Sequence, residues 1–231
     1  MTVAALIPAL DEAGSIAAVI AGVRRHVDEV IVVDDGSRDE TGARAQAAGA
    51  TVLRHEHNRG KGCAVRTGLE YVLARPFTHV LLMDGDLQHR PDDVPKLTAA
   101  ARERKLDLVV GARRFDRARM PRARYYSNVI GSRALSAFIG APVRDTQSGF
   151  RLVACAPLRN LVLTSTGYEI ETEMLIRLAQ LGARIGDVEV TLAYEGARSK
   201  LRPVRDTTRT CFLAVYYRYL SRPSKPTARV N

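Results

Sequence analysis

The chain is poor in the residues that stabilise secreted or metal-stapled proteins. Its 231 residues contain no tryptophan and only three cysteines, Cys63, Cys155 and Cys211. These cysteines lie far apart and show no C-x-x-C spacing, which excludes the usual zinc-ligand pattern and argues against a disulfide framework. A reducing compartment such as the cytosol therefore fits the cysteine usage best.

Long apolar runs are also absent. Residues 1–10 lack a basic segment followed by a long apolar one, so the sequence predicts no signal peptide. The longest apolar run near the C-terminus, residues 211–217, is far shorter than the roughly 20 residues that a membrane-spanning helix needs. We therefore expect a cytoplasmic protein with no transmembrane segment.

Acidic residues are in the minority. The chain carries 35 Lys and Arg against 25 Asp and Glu, a formal net charge of +10. This excess favours anionic partners, namely nucleic acid, phosphorylated small molecules or a membrane surface, and charge alone does not choose among them. The hydrophobic content of 46% is enough to fill the core of one large domain.

The apolar pattern predicts an α/β fold. Short apolar runs alternate with segments of helical spacing, as at Ile16, Val19, Ile20 and Val23. Such alternation favours a mostly parallel sheet with helices on both faces, in which ligands bind at the carboxyl ends of the strands. A helix is expected over about residues 170–181. The predicted strands cover residues 3–7, 29–33, 51–53, 79–83, 106–110 and 184–190.

Two carboxylates end the fourth of these runs. Asp84 and Asp86 flank Gly85, and Gln88 follows two residues later. Hard oxygen ligands on a tight turn suit Mg²⁺ or Mn²⁺ when phosphate oxygens complete the coordination shell. The alternative is an Asp-Gly turn that caps the helix expected from about Pro91.

Six segments in a fixed order extend this pattern. They read "IPALDEAGSI" at residues 7–16, "VVDDGSRDET" at 32–41, "NRGKGCAVRTGL" at 58–69, "DGDLQH" at 84–89, "DTQSGFR" at 145–151 and "RSKLRP" at 198–203. Together they resemble glycosyltransferase family 2, most closely its dolichol-phosphate mannosyltransferase-like branch. The chain departs from the usual Asn-Glu pair by carrying Asp11 before Glu12.

The resemblance implies a single GT-A domain, a Rossmann-like, mostly parallel sheet sandwiched by helices. It divides the domain, residues 1–221, into a nucleotide-binding half over about 1–112, an acceptor half over about 113–205 and a C-terminal helix over about 206–221. Residues 222–231 contain two prolines and little apolar surface, which is typical of a flexible tail.

The resemblance also assigns a donor site for a nucleoside-diphosphate sugar. Asp34 and Asp35 receive the base or ribose in this assignment, although both residues could instead cap the helix expected near Asp39. Lys61 meets a carboxylate or phosphate, or else belongs to a plain helix-start turn. The nucleoside pocket is lined by Pro8, Ala9, Leu10 and Glu12, and the metal and diphosphate segment comprises Asp84, Gly85, Asp86 and Gln88.

The basic half of the chain predicts an anionic acceptor. Arginines crowd into residues 113–133, and a helix from about Arg122 would carry Arg122, Tyr126, Val129 and Arg133 on one face. Such a face suits an anionic membrane surface or a lipid phosphate, and the alternative is a solubilising surface. By resemblance a polyprenyl phosphate is contacted by Arg113, Arg133, Ser136, Ser199, Lys200 and Arg202, and catalysis rests on Asp86, Arg133, Lys200 and Arg202.

Two mechanisms stay open at this stage. A phosphate acceptor is already deprotonated, so an inverting, metal-dependent transfer to it needs no protein base. A hydroxyl acceptor needs one, and "GYEIETEM" offers Glu169, Glu171 and Glu173, which ion pairing on a polar helix face could equally explain. The donor, whether of the GDP-mannose or the UDP-glucose type, stays open too.

Other protein classes fit less well. A nucleotidyltransferase would carry a glycine-rich loop after the first strand, where this chain has "PALDEAGS". A nucleic-acid partner is not expected, because no zinc knuckle, aromatic ribonucleoprotein motif or recognition-helix pattern accompanies the basic charge. A membrane partner protein or a second copy of the chain is compatible with the sequence.

Overall fold

The computed structural model describes residues 1–114 and 122–191. Ser199, Lys200, Arg202, the helix predicted over 206–221 and the tail predicted over 222–231 lie outside these residues. Within them, no helix is long and apolar enough to cross a membrane.

Strands and helices alternate through most of the described chain. A short 3₁₀ turn, Pro91–Asp93, follows β4 and leads directly into α4. In chain order the elements are β1 Val3–Ala9, α1 Ile16–Val23, β2 Glu29–Asp34, α2 Thr41–Ala47, β3 Thr51–Arg54, α3 Lys61–Leu73, β4 His79–Leu82, α4 Val94–Glu103, β5 Leu108–Arg113, α5 Arg122–Ile139, β6 Arg151–Ala154, α6 Cys155–Leu158, α7 Ile170–Gln180 and β7 Ile185–Val190.

The strands form one seven-stranded sheet in the order β3-β2-β1-β4-β6-β5-β7. Neighbouring strands are parallel except at β6, which runs antiparallel to both β4 and β5. The predicted α/β class and mostly parallel sheet are therefore confirmed. All six predicted strands are present, whereas β6 was not predicted.

Helices cover both faces of the sheet. Alternate residues of β1 point to opposite sides, so that Leu6 joins one apolar core and Ile7 the other. The first core is completed by residues of α3, α5 and α7, and the second by residues of α1 and α4. Burial on both faces explains why the strands read as nearly continuous apolar runs.

The antiparallel strand brings an additional loop to the ligand edge of the sheet. Arg151, the first residue of β6, pairs with Leu82 near the carboxyl end of β4 and with Val110 of β5. The loop that precedes β6 therefore lies beside the residues that follow β4. This position gives the "DTQSGFR" segment a structural reason to approach Asp84.

Two helical glycines differ in the space around them. A Cβ at Gly62, in the first turn of α3, would lie 2.3 Å from the Ser165 carbonyl oxygen, whereas a Cβ at Gly131 in α5 would meet nothing within 4 Å. We expect Gly131→Ala to raise the unfolding free energy by about 0.5–1 kcal/mol, through helix propensity. Gly62→Ala should lower the unfolding free energy by about 1–3 kcal/mol, because the backbone at Ser165 or in α3 must move to admit the Cβ. Urea denaturation of both variants measures the difference, and shifts of the same sign would contradict it.

Candidate functional site

A partly buried ion-pair cluster lies at the carboxyl end of β4. The Lys61 Nζ atom is 2.6 Å from Asp84 Oδ1 and 2.7 Å from Glu171 Oε1. Lys61 is the first residue of α3, Asp84 follows β4, and Glu171 lies in the first turn of α7. One ammonium group thus joins three elements that are distant in sequence.

The charges in this cluster stabilise one another. Burial alone would lower the pKa of the Lys61 ammonium, but the attraction of Asp84 and Glu171 outweighs burial and raises it. Burial would likewise raise the pKa of Asp84, and the attraction of Lys61 outweighs it, so the pKa of Asp84 is lowered. Lys61 and Asp84 are therefore both charged at neutral pH.

Asp86 has the opposite electrostatic environment. Burial raises the pKa of the Asp86 carboxyl, and repulsion from Asp84 and Glu12 raises it further, despite a hydrogen bond from the Gln88 backbone N–H at 3.1 Å. The turn is tight, because Leu87 between them adopts a left-handed φ of 63°. Negative charge thus accumulates around Asp86, and the charge of Lys61 compensates it only in part.

The donor set fits a divalent cation that is shared with a substrate. The residues that could hold the ion are Asp84, Asp86 and Gln88, all with hard oxygen atoms, and a cation would relieve the repulsion that raises the pKa of Asp86. Within residues 1–114 and 122–191, no three His, Cys, Asp or Glu side chains gather closely enough to hold a metal by themselves. Phosphate oxygens from a ligand would have to complete the shell.

Gly149 of the "DTQSGFR" segment packs directly against this cluster. A Cβ at Gly149 would lie 2.7 Å from Asp84 Oδ2 and 3.2 Å from Lys61 Nζ. Any side chain here would displace the carboxylate or the ammonium. The loop before β6 therefore forms one wall of the site, and only glycine allows the close approach.

The loop over residues 58–62 is fixed by Asp35. The Asp35 carboxylate accepts hydrogen bonds from the backbone N–H groups of Arg59 and Gly60 at 3.0 and 2.8 Å, and its Oδ1 lies 2.6 Å from His55 Nδ1. Gly60 has a φ of 94°, which favours glycine. Asp35 therefore holds the loop that begins α3 and presents Lys61.

Asp34 and Asp35 do not cap α2, so the helix-cap alternative for them is wrong. The residue at the cap position is Glu40, and the side chain that bonds the first turn is Asp39, which accepts from the Thr41 N–H at 3.0 Å. Asp34 is fully buried and accepts from the Ser37 N–H at 2.9 Å. Asp34 therefore stabilises the turn that directly follows β2.

The segment after β1 lies beside this turn. Asp11 has a φ of 53°, a left-handed conformation that Asp and Asn tolerate best, which accounts for Asp in place of Asn. Its backbone N–H donates to Ser37 Oγ at 3.0 Å, and Glu12 receives the Ser15 hydroxyl at 3.1 Å. Pro8, Ala9 and Leu10 complete this segment at the carboxyl end of β1.

Arg113 is held by a buried carboxylate. Arg113 Nε and Nη2 donate to the two oxygens of Asp145 at 2.6 and 3.1 Å, and Asp145 is fully buried. Burial opposes the Arg113 charge, but Asp145 outweighs it and raises the pKa of the guanidinium; Asp84 and Asp86 act in the same direction. The fixed cation therefore lies within electrostatic reach of the metal segment.

His89 does not supply a charge to the site. Its ring stacks on Phe150 with centroids 5.1 Å apart, and burial lowers the pKa of His89 to about 4. The imidazole is thus neutral at pH 7. Its contact with Phe150 packs the metal segment onto the loop before β6.

The three glutamates of "GYEIETEM" have different roles. Glu173 is fully buried and accepts the backbone N–H groups of Thr164 and Ser165 at 2.9 and 2.7 Å, so the expected polar-face position is wrong for it. Glu169 accepts the Gly167 N–H at 3.2 Å. Only Glu171 faces the cluster, where Lys61 already neutralises its charge.

The two acceptor residues predicted on α5 have different surroundings. Arg133 is exposed, and with Tyr126 and Ile130 it follows a helical spacing of four and three residues along one face. Ser136 instead donates its hydroxyl proton to the Val143 carbonyl at 2.6 Å and accepts the Val143 N–H at 3.1 Å. Ser136 therefore fastens a loop and has no proton left for a phosphate.

Sequence reasoning missed several residues that build this site. Asp145, Gly149 and Arg151 were recognised only as letters of a family segment. Their roles depend on contacts with residues about 20 to 90 positions away, and no local pattern reports such contacts. The spacing of four between Glu169 and Glu173 pointed to ion pairs on the protein surface. Glu173 is instead buried, and its partners are backbone N–H groups.

Comparison with known proteins places the chain among sugar transferases. A family model described as glycosyl transferase family 2 matches residues 4–163. Glycosyltransferase AglJ of Haloferax volcanii is 35% identical, over 92% of this chain and 70% of the relative. An undecaprenyl-phosphate mannosyltransferase of Micrococcus luteus is 32% identical, over 83% of each chain.

Solved structures agree with these relatives. Glucosyl-3-phosphoglycerate synthase from Mycobacterium tuberculosis, in complex with Mn²⁺, uridine diphosphate and glucosyl-3-phosphoglycerate, superposes with a TM-score of 0.71 at 26% identity. The match covers 98% of this chain and 81% of that one. The seven-stranded sheet described above is thus the GT-A fold.

The two carboxylates of the metal segment should respond oppositely to neutralisation. Above its unfolded-state pKa, a carboxylate whose folded-state pKa is lowered stabilises the fold, and one whose folded-state pKa is raised destabilises it. At pH 7 in EDTA, we expect Asp84→Asn to lose about 1–3 kcal/mol, as the partner of Lys61 is removed. Asp86→Asn should instead gain stability. Thermal and urea unfolding measure both, and equal losses would contradict the assignment.

Proposed function

The chain belongs to glycosyltransferase family 2, and from that premise we propose that it moves a hexose from a nucleoside-diphosphate sugar to a polyprenyl phosphate, with inversion and with a divalent metal. The observation that supports this proposal most directly is the cluster at the end of β4. It combines two carboxylates, a partly buried lysine and a fixed arginine at the ligand edge of a GT-A sheet. Such a site matches a diphosphate with its cation.

The donor site uses residues from both sides of the cluster. Asp84, Asp86 and Gln88 would hold Mg²⁺ or Mn²⁺, which neutralises the charge of the departing diphosphate. Pro8, Ala9, Leu10 and Glu12 line the nucleoside pocket in this proposal. Asp34 and Asp35 would line the bottom of this pocket, and Asp35 would also hydrogen-bond the base or the ribose.

Lys61 supplies a second positive charge to the same site. It contacts Asp84 and Glu171 and belongs to a loop that Asp35 fixes. A preorganised cation costs no reorganisation when negative charge develops on the leaving group. Lys61 would therefore orient Asp84 and stabilise the diphosphate as the sugar departs.

The state of the glutamates favours a phosphate acceptor over a hydroxyl. A hydroxyl acceptor needs a base, but Glu173 is saturated by backbone donors and Glu171 is neutralised by Lys61 at 2.7 Å. Proton transfer to Glu171 Oε1 would have to break its ion pair with the Lys61 ammonium. A phosphate oxygen is already anionic at neutral pH and needs no proton acceptor.

The acceptor phosphate would be met by cations of the second half of the chain. Arg113, which Asp145 fixes beside the metal segment, and Arg133, which is exposed on α5, are the described candidates. Ser199, Lys200 and Arg202 stay predictions for the same role. Several cations are needed, because two anionic substrates must approach each other.

A polyprenyl acceptor would bring the protein to a membrane surface. Tyr126 and Ile130 are 44% and 62% exposed and share a helix face with Arg133. Apolar and aromatic groups beside a cation favour the interface of an anionic membrane. The relatives named for undecaprenyl and dolichyl phosphate transfer support this choice of acceptor.

A soluble phosphorylated acceptor is the second candidate. It is favoured by the likeness to glucosyl-3-phosphoglycerate synthase, which covers 98% of this chain. Such an acceptor has both a hydroxyl nucleophile and a charged group. It would use the same metal segment and the same arginines, but it would require Glu171 to accept a proton.

A product assay distinguishes the two acceptors. Purified protein is incubated with labelled GDP-mannose, UDP-glucose or UDP-N-acetylglucosamine, Mn²⁺ or Mg²⁺, and either undecaprenyl phosphate, dolichyl phosphate or 3-phosphoglycerate. We expect metal-dependent label in the organic phase with one donor, and no transfer in EDTA or with Asp86→Ala. Label found only in a water-soluble product would support the second candidate and refute the first.

Arg133 offers a matched test of the acceptor surface. Arg102 is likewise an exposed helical arginine, but it lies on α4, on the opposite face of the sheet. We expect Arg133→Ala to raise the KM for polyprenyl phosphate about 10-fold, the usual effect of losing roughly 1.4 kcal/mol. It should also weaken sedimentation with vesicles of anionic lipid at low salt. Arg102→Ala should change neither, and equal effects of the two variants would remove Arg133 from the acceptor surface.

A further inference from the structure

Arg151 is a fully buried arginine at the start of an interior strand of the sheet. It begins β6, between β4 and β5, and it is 0% exposed. Its guanidinium donates from Nε to the Ser148 carbonyl at 2.7 Å, from Nη1 to the Glu171 carbonyl at 2.5 Å, and from Nη2 to the Thr146 carbonyl at 2.8 Å. Its three nitrogens are thus all bonded to main-chain oxygens.

This arrangement is costly for a residue that only fills the core. Within the described chain no carboxylate forms an ion pair with Arg151, although Glu171, Asp145 and Asp84 favour its charge from a greater distance. Burial lowers the pKa of Arg151 to about 10, so the group is still charged at neutral pH. Apolar residues of similar volume generally stabilise a core at least as well as a buried charge. A requirement other than packing is therefore indicated.

The three carbonyl groups belong to the two walls of the functional site. Thr146 and Ser148 precede Gly149, whose Cα position leaves no room for a side chain beside Asp84 and Lys61. Glu171 binds Lys61 with its side chain while its main chain is held by Arg151. One guanidinium therefore links the loop before β6 to the first turn of α7, with the Lys61–Asp84 pair between them.

We propose that Arg151 is a positioning residue that sets the distance between these walls and so holds Lys61 and Asp84 in the geometry that binds metal and diphosphate. The proposal rests on the proposed function only for the identity of the ligand. Arg151 itself touches neither substrate nor metal. Its planar fork is suited to the role, because three fixed donors can span three carbonyls that a lysine ammonium cannot reach together.

The first test replaces the fork and keeps the charge. In Arg151→Lys we expect the Mn²⁺ concentration for half-maximal binding of UDP or GDP to rise about 10- to 100-fold, the usual range when support behind metal ligands is lost. A crystal structure should show Lys61 displaced from Asp84 or Glu171. The matched control is Arg104→Lys, because Arg104 also donates to a main-chain carbonyl, that of Asp187 at 2.9 Å, but it lies away from the site.

The outcomes separate positioning from stability. A folded Arg151→Lys protein with wild-type metal dependence and unmoved Lys61 contacts overturns the proposal, even if its melting temperature falls. If wild-type protein binds no nucleotide at saturating Mn²⁺, the proposed function fails, while the crystal structure still decides the role of Arg151.

A second measurement leaves Arg151 intact, in case its variants do not fold. The Nε–H resonance of Arg151, assigned through its bonds to the backbone, is followed by NMR in wild-type protein and in Lys61→Met. If the Arg151 guanidinium and the Lys61 ammonium hold the same two walls in place, loss of the ammonium should shift the Arg151 Nε–H resonance and speed its exchange with water. An unchanged resonance and exchange rate overturn the proposal.

Discussion

The placement of one ammonium group between two carboxylates is the constraint on which the rest of the site depends. Lys61 neutralises Asp84 after β4 and Glu171 in α7, and each of these acids comes from a different part of the chain. Burying one such cation without partners would be prohibitive, and the same is true of each acid. In the folded protein, each of the three elements therefore depends on the other two to compensate its charge.

Close approach of backbone explains the glycines around this cluster. Gly60 and Gly62 lie against the Thr166 and Ser165 carbonyls, and Gly149 lies against Asp84. Glu173 holds residues 164–165 from the other side, so a carboxylate that faces away from the ligand still determines where Lys61 can be. The site is thus formed as much by main-chain surfaces as by reactive side chains.

The strands were predictable from the sequence because burial on both faces leaves continuous apolar runs, as at β1 and β2. The position of residues 84–88 at the ligand edge was predictable because they directly follow a predicted strand. β6 was not predicted because its first residues were recognised only as part of a family segment and its last residue runs directly into α6. The roles of Ser136, Glu173 and Arg151 could not be predicted from the pattern, since each is decided by a carbonyl or N–H group that lies outside the residue's own helix or strand. The resemblance to the family located the segment that contains Gly149, but it did not explain why glycine is required there.

The antiparallel strand in the middle of the sheet also constrains how such a chain can be divided or extended. β6 comes after the long α5 excursion but is inserted between β4 and β5, so a fragment that stopped before it would expose a central strand edge. Open edges of this kind recruit other chains and aggregate. The portion that precedes β6 is therefore no autonomous module that could be excised and fused elsewhere. The connection from β5 to β6, in contrast, leaves and re-enters the sheet at adjacent strands, and it can change in length or composition without altering strand order.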